Sequence, residues 1–171
     1  MSTFGPVTPS DLKPTTQPRR ATFFGTAYHK VSGRNQVAIP RHLMKALEEA
    51  QEGQLLLMRL SEEGYLRLYT QKQLDEKIDE IRNRSELDRK TRSELIRHLA
   101  SNAVPVEPDT QGRFVLPSRW VEELKLQEEV AFCGAFSWIE IWPAHARRDK
   151  EQTSQGETAA PAQLIAEILD A

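Results

Sequence analysis

Few side chains in this sequence could carry out covalent chemistry. His29 and Ser32 stand three residues apart and could pair a base with a hydroxyl nucleophile, but no acid lies near to orient the histidine, and a polar turn is the simpler reading. His42, His98 and His145 stand alone. The single cysteine, Cys133, sits in the apolar run Val130–Ala135, so a disulfide framework and a cysteine-based metal site are both excluded. There is no Gly-rich phosphate loop and no H-E-x-x-H, so no cofactor and no metal are expected, and the chain reads as a protein that is not an enzyme.

What the sequence offers instead is charge. The formal net charge of −2 conceals an asymmetry. Residues 1–45 carry Lys13, Arg19, Arg20, Lys30, Arg34, Arg41 and Lys45 against one acid, Asp11, which leaves 16 cations against 24 acids for the rest of the 171-residue chain. Such a split suggests a basic face for a polyanion, with Lys30, Arg34 and Arg41 as candidate phosphate contacts. Gln36 adds an amide that could pair bidentately with adenine. A nucleic acid is therefore the expected partner. A membrane is not: no apolar run approaches the roughly 18 residues a span needs, and no secretory signal core opens the chain. A reducing cytoplasm is the expected compartment, with association to the nucleoid.

The elements that would position these residues come from a repeat. Val106–Pro117 reads V-E-P-D-T-Q-G-R-F-V-L-P, and His29–Pro40 reads H-K-V-S-G-R-N-Q-V-A-I-P, with Pro40 falling on Pro117 at an offset of 77 residues. Apolar residues alternate on both sides of a polar turn, Val104 and Val106 before it and Phe114 and Leu116 after it, which predicts a half-buried hairpin. Gly112 can supply a positive φ, and Asp109 can hold turn amides; Gly33 and Asn35 can play the first part in the other copy. Pro40 and Pro117 suit the start of a helix. Farther on, Tyr65-Leu66-Arg67-Leu68-Tyr69 is mirrored by Trp138-Ile139-Glu140-Ile141-Trp142, with the tyrosines expected to pack rather than to stack on bases.

Residues 1–21, rich in proline and polar groups, read as a disordered basic arm. The first repeat unit spans 26–73. A helical spacer fills 74–101, carrying Leu74, Ile78 and Ile81 and then Leu95, Ile96 and Leu99, with Ser85 or Thr91 as the cap of its second helix. The second unit spans 102–145. Residues 146–171 read as a polar linker, Gln152–Pro161, followed by a short amphipathic helix. Its stripe of Leu164, Ile165, Ile168 and Leu169 needs a groove on this chain, the preferred reading, or a protein partner.

The ordered combination of repeat, D-x-Q-G-R followed by an apolar-Pro step, and a spacer ending L-I-R-H-L-A-S-N-A-V resembles the MraZ family over roughly residues 22–148. Members of that family are bacterial transcriptional regulators with two SpoVT-AbrB domains. The resemblance implies an α+β fold: two pseudo-repeated swapped-hairpin, AbrB-like β-barrel halves with short helices and a helical spacer. It also implies a ring-shaped homo-oligomer whose first-repeat turns contact DNA repeats, and regulation of the division and cell-wall gene cluster, including its own promoter.

One departure matters. The second turn keeps the family's Asp109, Gly112 and Arg113, whereas the first has Ser32 for the aspartate, Asn35 for the glycine and Gln36 for the arginine, with Arg34 at the lysine position. Three outcomes stay open: Arg34 takes over the contact, Gln36 reads a base edge, or DNA binding has been lost and the ring serves as a scaffold. For Asp109 and Arg113 the expectation is a structural pair across the turn, with DNA contact as the alternative.

Overall fold

The computed structural model describes residues 20–60, 62–156 and 159–171. It is α+β, with antiparallel sheets and, among the described residues, six helices. The first repeat contributes β1 (Thr26–Lys30), β2 (Gln36–Ala38), α1 (Arg41–Ala50), β3 (Leu55–Met58) and β4 (Leu66–Thr70). Two spacer helices follow, α2 (Gln71–Arg82) and α3 (Arg89–Asn102). The second repeat runs β5 (Val104–Val106), β6 (Arg113–Val115), α4 (Ser118–Leu124), β7 (Glu129–Gly134) and β8 (Ile139–Pro143), and the chain closes with α5 (Ala144–Gly156) and α6 (Ala159–Asp170).

The expected first hairpin of each repeat is not a hairpin. Backbone bonds close each turn, but the flanking strands then part. β1 pairs with β7 of the other repeat, β5 with β3, and β2 with β6, all antiparallel. The reason lies beyond the local sequence: each strand finds its long partner across the repeat boundary. The link from β1 to β2 is made by a side chain, with the Ala38 carbonyl accepting from the His29 ring at 2.5 Å. The second hairpins do form as the pattern predicts, β3 with β4 and β7 with β8. The result is a six-stranded sheet in the order β1-β7-β8-β4-β3-β5 beside a two-stranded ribbon of β2 and β6.

Alternation then decides what faces the core. Val37, Ile39, Phe114 and Leu116 point inward with Leu66, Leu68, Ile139 and Ile141, and all are buried. β4 and β8 pair about Arg67 and Glu140, so the mirrored pentapeptides meet each other. On their outer face Tyr65 stacks on Trp142 at 4.4 Å between ring centroids, Tyr69 leans on Trp138, and the Arg67 guanidinium covers the Trp138 ring. The tyrosines pack, as expected. A second apolar cluster, Leu56, Met58, Tyr69 and Leu74 with Ile78 and Leu99 against it, seats α2 and α3 on that outer face.

Three boundaries differ from the sequence reading. Residues 1–19 of the expected arm lie outside the described residues, but Ala21 is 3% exposed and its N–H donates to Glu52 at 2.8 Å, while Arg20 is ion-paired with Glu76. The cap of α3 is Asp88, whose carboxylate accepts from the Thr91 amide at 2.7 Å, and neither Ser85 nor Thr91 fills that role. Helix α5 runs to Gly156, through residues whose polarity suggested a linker from Gln152. It is secured by the Arg148–Glu129 ion pair and by Arg147 over the Trp142 ring.

The start of α2 carries a capping box that joins both ends of the first repeat. Thr70 Oγ accepts from the Gln73 amide, the Gln73 side chain accepts from the Thr70 amide, and the Thr70 hydroxyl donates to the buried Glu52 at 2.7 Å. Thr70→Ala removes a cap and leaves a Glu52 oxygen unpaired, so unfolding free energy should fall by about 2 kcal/mol in urea titration.

Candidate nucleic-acid interface

The two turns are built alike from different residues. In the second, the Asp109 amide donates to the Arg113 carbonyl at 2.9 Å and the Gly112 amide donates to the Asp109 carbonyl at 2.9 Å. In the first, Ser32 and Gln36 make the same bond at 2.9 Å and Asn35 and Ser32 the second at 3.0 Å. Gly112 and Asn35 both have positive φ, +79° and +57°, the left-handed conformation that glycine takes freely and asparagine tolerates better than most residues. The substitution of asparagine for glycine therefore keeps the turn.

The other two changes belong together. The Asp109 carboxylate accepts from the amides of Gln111 and Arg113, each at 2.9 Å, and from Arg113 Nε at 2.8 Å. Ser32 Oγ accepts from the matching amides of Arg34 and Gln36 at 3.4 and 3.2 Å, so the hydroxyl keeps the backbone work but has no charge to hold a cation. Gln36 in place of arginine removes the cation that would have needed it. Arg34, at the exposed tip, has no ion pair among the described residues.

Those bonds hold the Asp109 carboxyl below the usual carboxylate range, the Arg113 amide contributing most and its side chain next. A folded value below the unfolded one, ordinarily near ~4, means that the stabilisation is complete above the unfolded value and is lost as pH falls through the folded one. Asp109→Asn should flatten the acid limb of stability against pH, measured as urea midpoints from neutral pH to pH about 2.

The turns lie at opposite ends of the β2–β6 ribbon. The amide of Ile39 donates to the Gly112 carbonyl at 2.9 Å, and the amide of Leu116 donates to the Asn35 carbonyl at 2.8 Å, so each repeat's helix start is fastened to the other repeat's turn. Four to five residues of antiparallel strand separate the turns by roughly 15 Å. With Val37 and Phe114 inward, the outward face of the ribbon carries Gln36 opposite Val115 and Ala38 opposite Arg113.

This arrangement divides the sequence candidates. Lys30, Arg34 and Gln36 gather at the first turn, and Gln36 is half-buried. Arg41 does not join them: with Lys45 it borders Thr110 and Gln111 of the second turn, because α1 leaves the ribbon at that end. Asp109, Gly112 and Arg113 form the second turn, where the ion pair gives Arg113 a structural bond while its side chain stays on the outward face. Sequence reasoning missed Val115, which is 58% exposed at the first-turn end of the ribbon; the surrounding alternation carried that signal, since Phe114 and Leu116 had to be inward. It also missed the acids beside the first turn. The Val31 amide donates to the Glu128 carbonyl at 2.8 Å, and Lys30 pairs in register with Glu129, whose carboxylate is held by Arg148 at 2.6 Å.

Among the described residues no group of three or more His, Cys, Asp or Glu could hold a metal, and no helix is long and apolar enough to cross a membrane. Comparison with known proteins bears on most of the chain. The family model described as "MraZ protein" matches residues 99–166. The transcriptional regulator MraZ of Bacteroides thetaiotaomicron is 27% identical over 120 residues, 70% of this chain and 77% of that protein. The one from Mycolicibacterium vanbaalenii is 26% identical over 148 residues, 86% and 99% of the two chains, and the one from Thioalkalivibrio sulfidiphilus 27% over 146 residues, 84% and 96%. The second repeat is matched by the family model and both repeats are spanned by these relatives, so the chain is similar to MraZ proteins over most of its length.

Proposed function

We propose that this MraZ-type transcriptional regulator binds double-stranded DNA sequence-specifically through the outward face of the β2–β6 ribbon and the first-repeat turn. The observation that carries the reading is the unpaired Arg34 at the tip of a turn that has lost its own acid. Lys30 and Arg34 at one end of the ribbon, and Arg41 and Lys45 at the other, contact phosphates. Their separation of roughly 15 Å is close to the ~12 Å width of the major groove, which admits a two-stranded ribbon. Gln36 then faces base edges, with Val115 available for a thymine methyl group. The exchange of strands between repeats supports a swapped-hairpin, AbrB-like barrel as the frame.

In this proposal the chain acts as a homo-oligomeric ring in the cytoplasm, at the nucleoid, and several turns meet spaced repeats upstream of its own gene and the division and cell-wall cluster. Multivalency makes a modest contact per turn sufficient. Binding of the protein to its own upstream DNA, followed by fluorescence anisotropy across salt concentrations, tests this: log affinity should fall against log salt by roughly 0.9 per phosphate neutralised. A flat salt dependence, or equal affinity for an unrelated duplex, would refute it. Glu128 and Glu129 beside the first turn favour the second reading, a ring that has given up DNA for a scaffold role. Purified protein free of nucleic acid at low salt, by absorbance ratio, would be its signature.

A further inference from the structure

Helix α6 leaves its apolar stripe uncovered. Leu164, Ile165, Ile168 and Leu169 are 56–76% exposed, so the intramolecular docking preferred from sequence does not occur. Elsewhere on the chain an apolar groove is also unfilled. It lies between the spacer helices and the outer face of the six-stranded sheet, a cavity of about 450 Å³ whose walls include Met58, Tyr69, Ile81, Leu99 and Trp138, with Leu95 standing 40% exposed at its edge.

The charges of the two surfaces are complementary. The groove is bordered by Arg67, Lys77 and Arg84, which are ion-paired with Glu63, Glu80 and Glu86. On the adjoining helix α3, Arg89, Lys90 and Arg97 have no ion pair among the described residues. The described side chains of α6 carry two acids, Glu167 and Asp170, and no cation. An aliphatic stripe at helical spacing with acids on its flank fits a groove with an apolar floor and a basic rim.

We infer that α6 of one copy seats in the α2–α3 groove of a second copy. The contact is heterologous, a helix on one side and a groove on the other, and every copy offers both. Such contacts propagate head to tail and close into a ring when the rotation allows. The inference rests on the homo-oligomer of the proposed function and is independent of its DNA contact.

Native mass spectrometry of the full chain tests it with Ile168→Asp and, separately, Leu95→Asp, both at exposed positions that a folded subunit tolerates. Each should reduce the oligomer to monomer, while Arg34→Ala keeps the parent mass and loses only DNA. Pairing is then read by oxidation: Ile168→Cys protein mixed with Leu95→Cys protein should give a disulfide-linked dimer, and Ile168→Cys alone should not. Parent mass retained by Ile168→Asp, or equal cross-linking by Ile168→Cys alone, which would mean that α6 pairs with α6, overturns the inference. A parent chain that is monomeric at micromolar concentration overturns the ring as well.

Discussion

Arg34→Ala should weaken binding to the upstream DNA by about two orders of magnitude while leaving the fold intact. Its side chain is exposed and forms no ion pair among the described residues, so its removal should alter unfolding free energy by no more than about 0.5 kcal/mol. A phosphate or bidentate base contact is worth about 1–3 kcal/mol, and two or more turns engaged on spaced repeats multiply the loss. Arg113→Ala provides the contrast. Its guanidinium is engaged with Asp109, so the main effect should be on stability, with affinity changed by less than about threefold. The pair of variants is measured by anisotropy at one salt concentration beside a urea titration. Arg34→Ala binding like the parent would remove the first turn from the interface; Arg113→Ala losing DNA while stable would move the interface to the second.

Gly134→Ala should have the largest effect on stability, about 3 kcal/mol or more. A Cβ there would run into the Phe24 nitrogen and the Phe23 carbonyl carbon, and would lie 2.6 Å from the Phe23 oxygen. All three are backbone atoms held in place, because Phe23 exchanges amide bonds with Phe136 at 2.9 and 3.0 Å and the Gly134 amide donates to Gly25 at 2.8 Å. Relief would require residues 20–25 to lift away, which exposes Phe23 and Ala21 and breaks the Ala21–Glu52 bond. Hydrogen exchange should accelerate at the amides of Phe23 and Phe136 before the rest of the sheet responds, and the urea midpoint should drop. An unchanged midpoint would mean that the crossing is looser than its geometry.

What could be read from the sequence was what depends on neighbours in sequence. The period-two pattern put Val106, Phe114 and Leu116 inside, and the prolines marked the helix starts within one residue, at the cap positions Pro40 and Pro117. Turn chemistry assigned Gly112 its positive φ and offered Gly33 or Asn35 for the first turn, where Asn35 takes it. Strand partners were not legible: β1 and β2 obey the same alternation whether they pair with each other or with β7 and β6. That choice also separated Arg41 from Arg34, two residues that proximity in sequence had grouped. The Asp88 cap escaped because Ser85 and Thr91 are equally suitable by type, and the turn through Leu87, whose amide donates to Arg84, decides between them. The acids beside the first turn were visible as residues of the second repeat but could not be placed against Lys30 until the register of β1 with β7 was known.

The traded strands have a topological meaning. Each half of the molecule reaches through the other, as two hooked fingers do, and the spacer merely joins their knuckles. Cutting the backbone between α2 and α3 would sever the thread without opening the hook. The halves would stay clasped through β1 on β7, β5 on β3 and β4 on β8, and either half isolated from the other would keep only a two-stranded hairpin, β3 with β4 or β7 with β8.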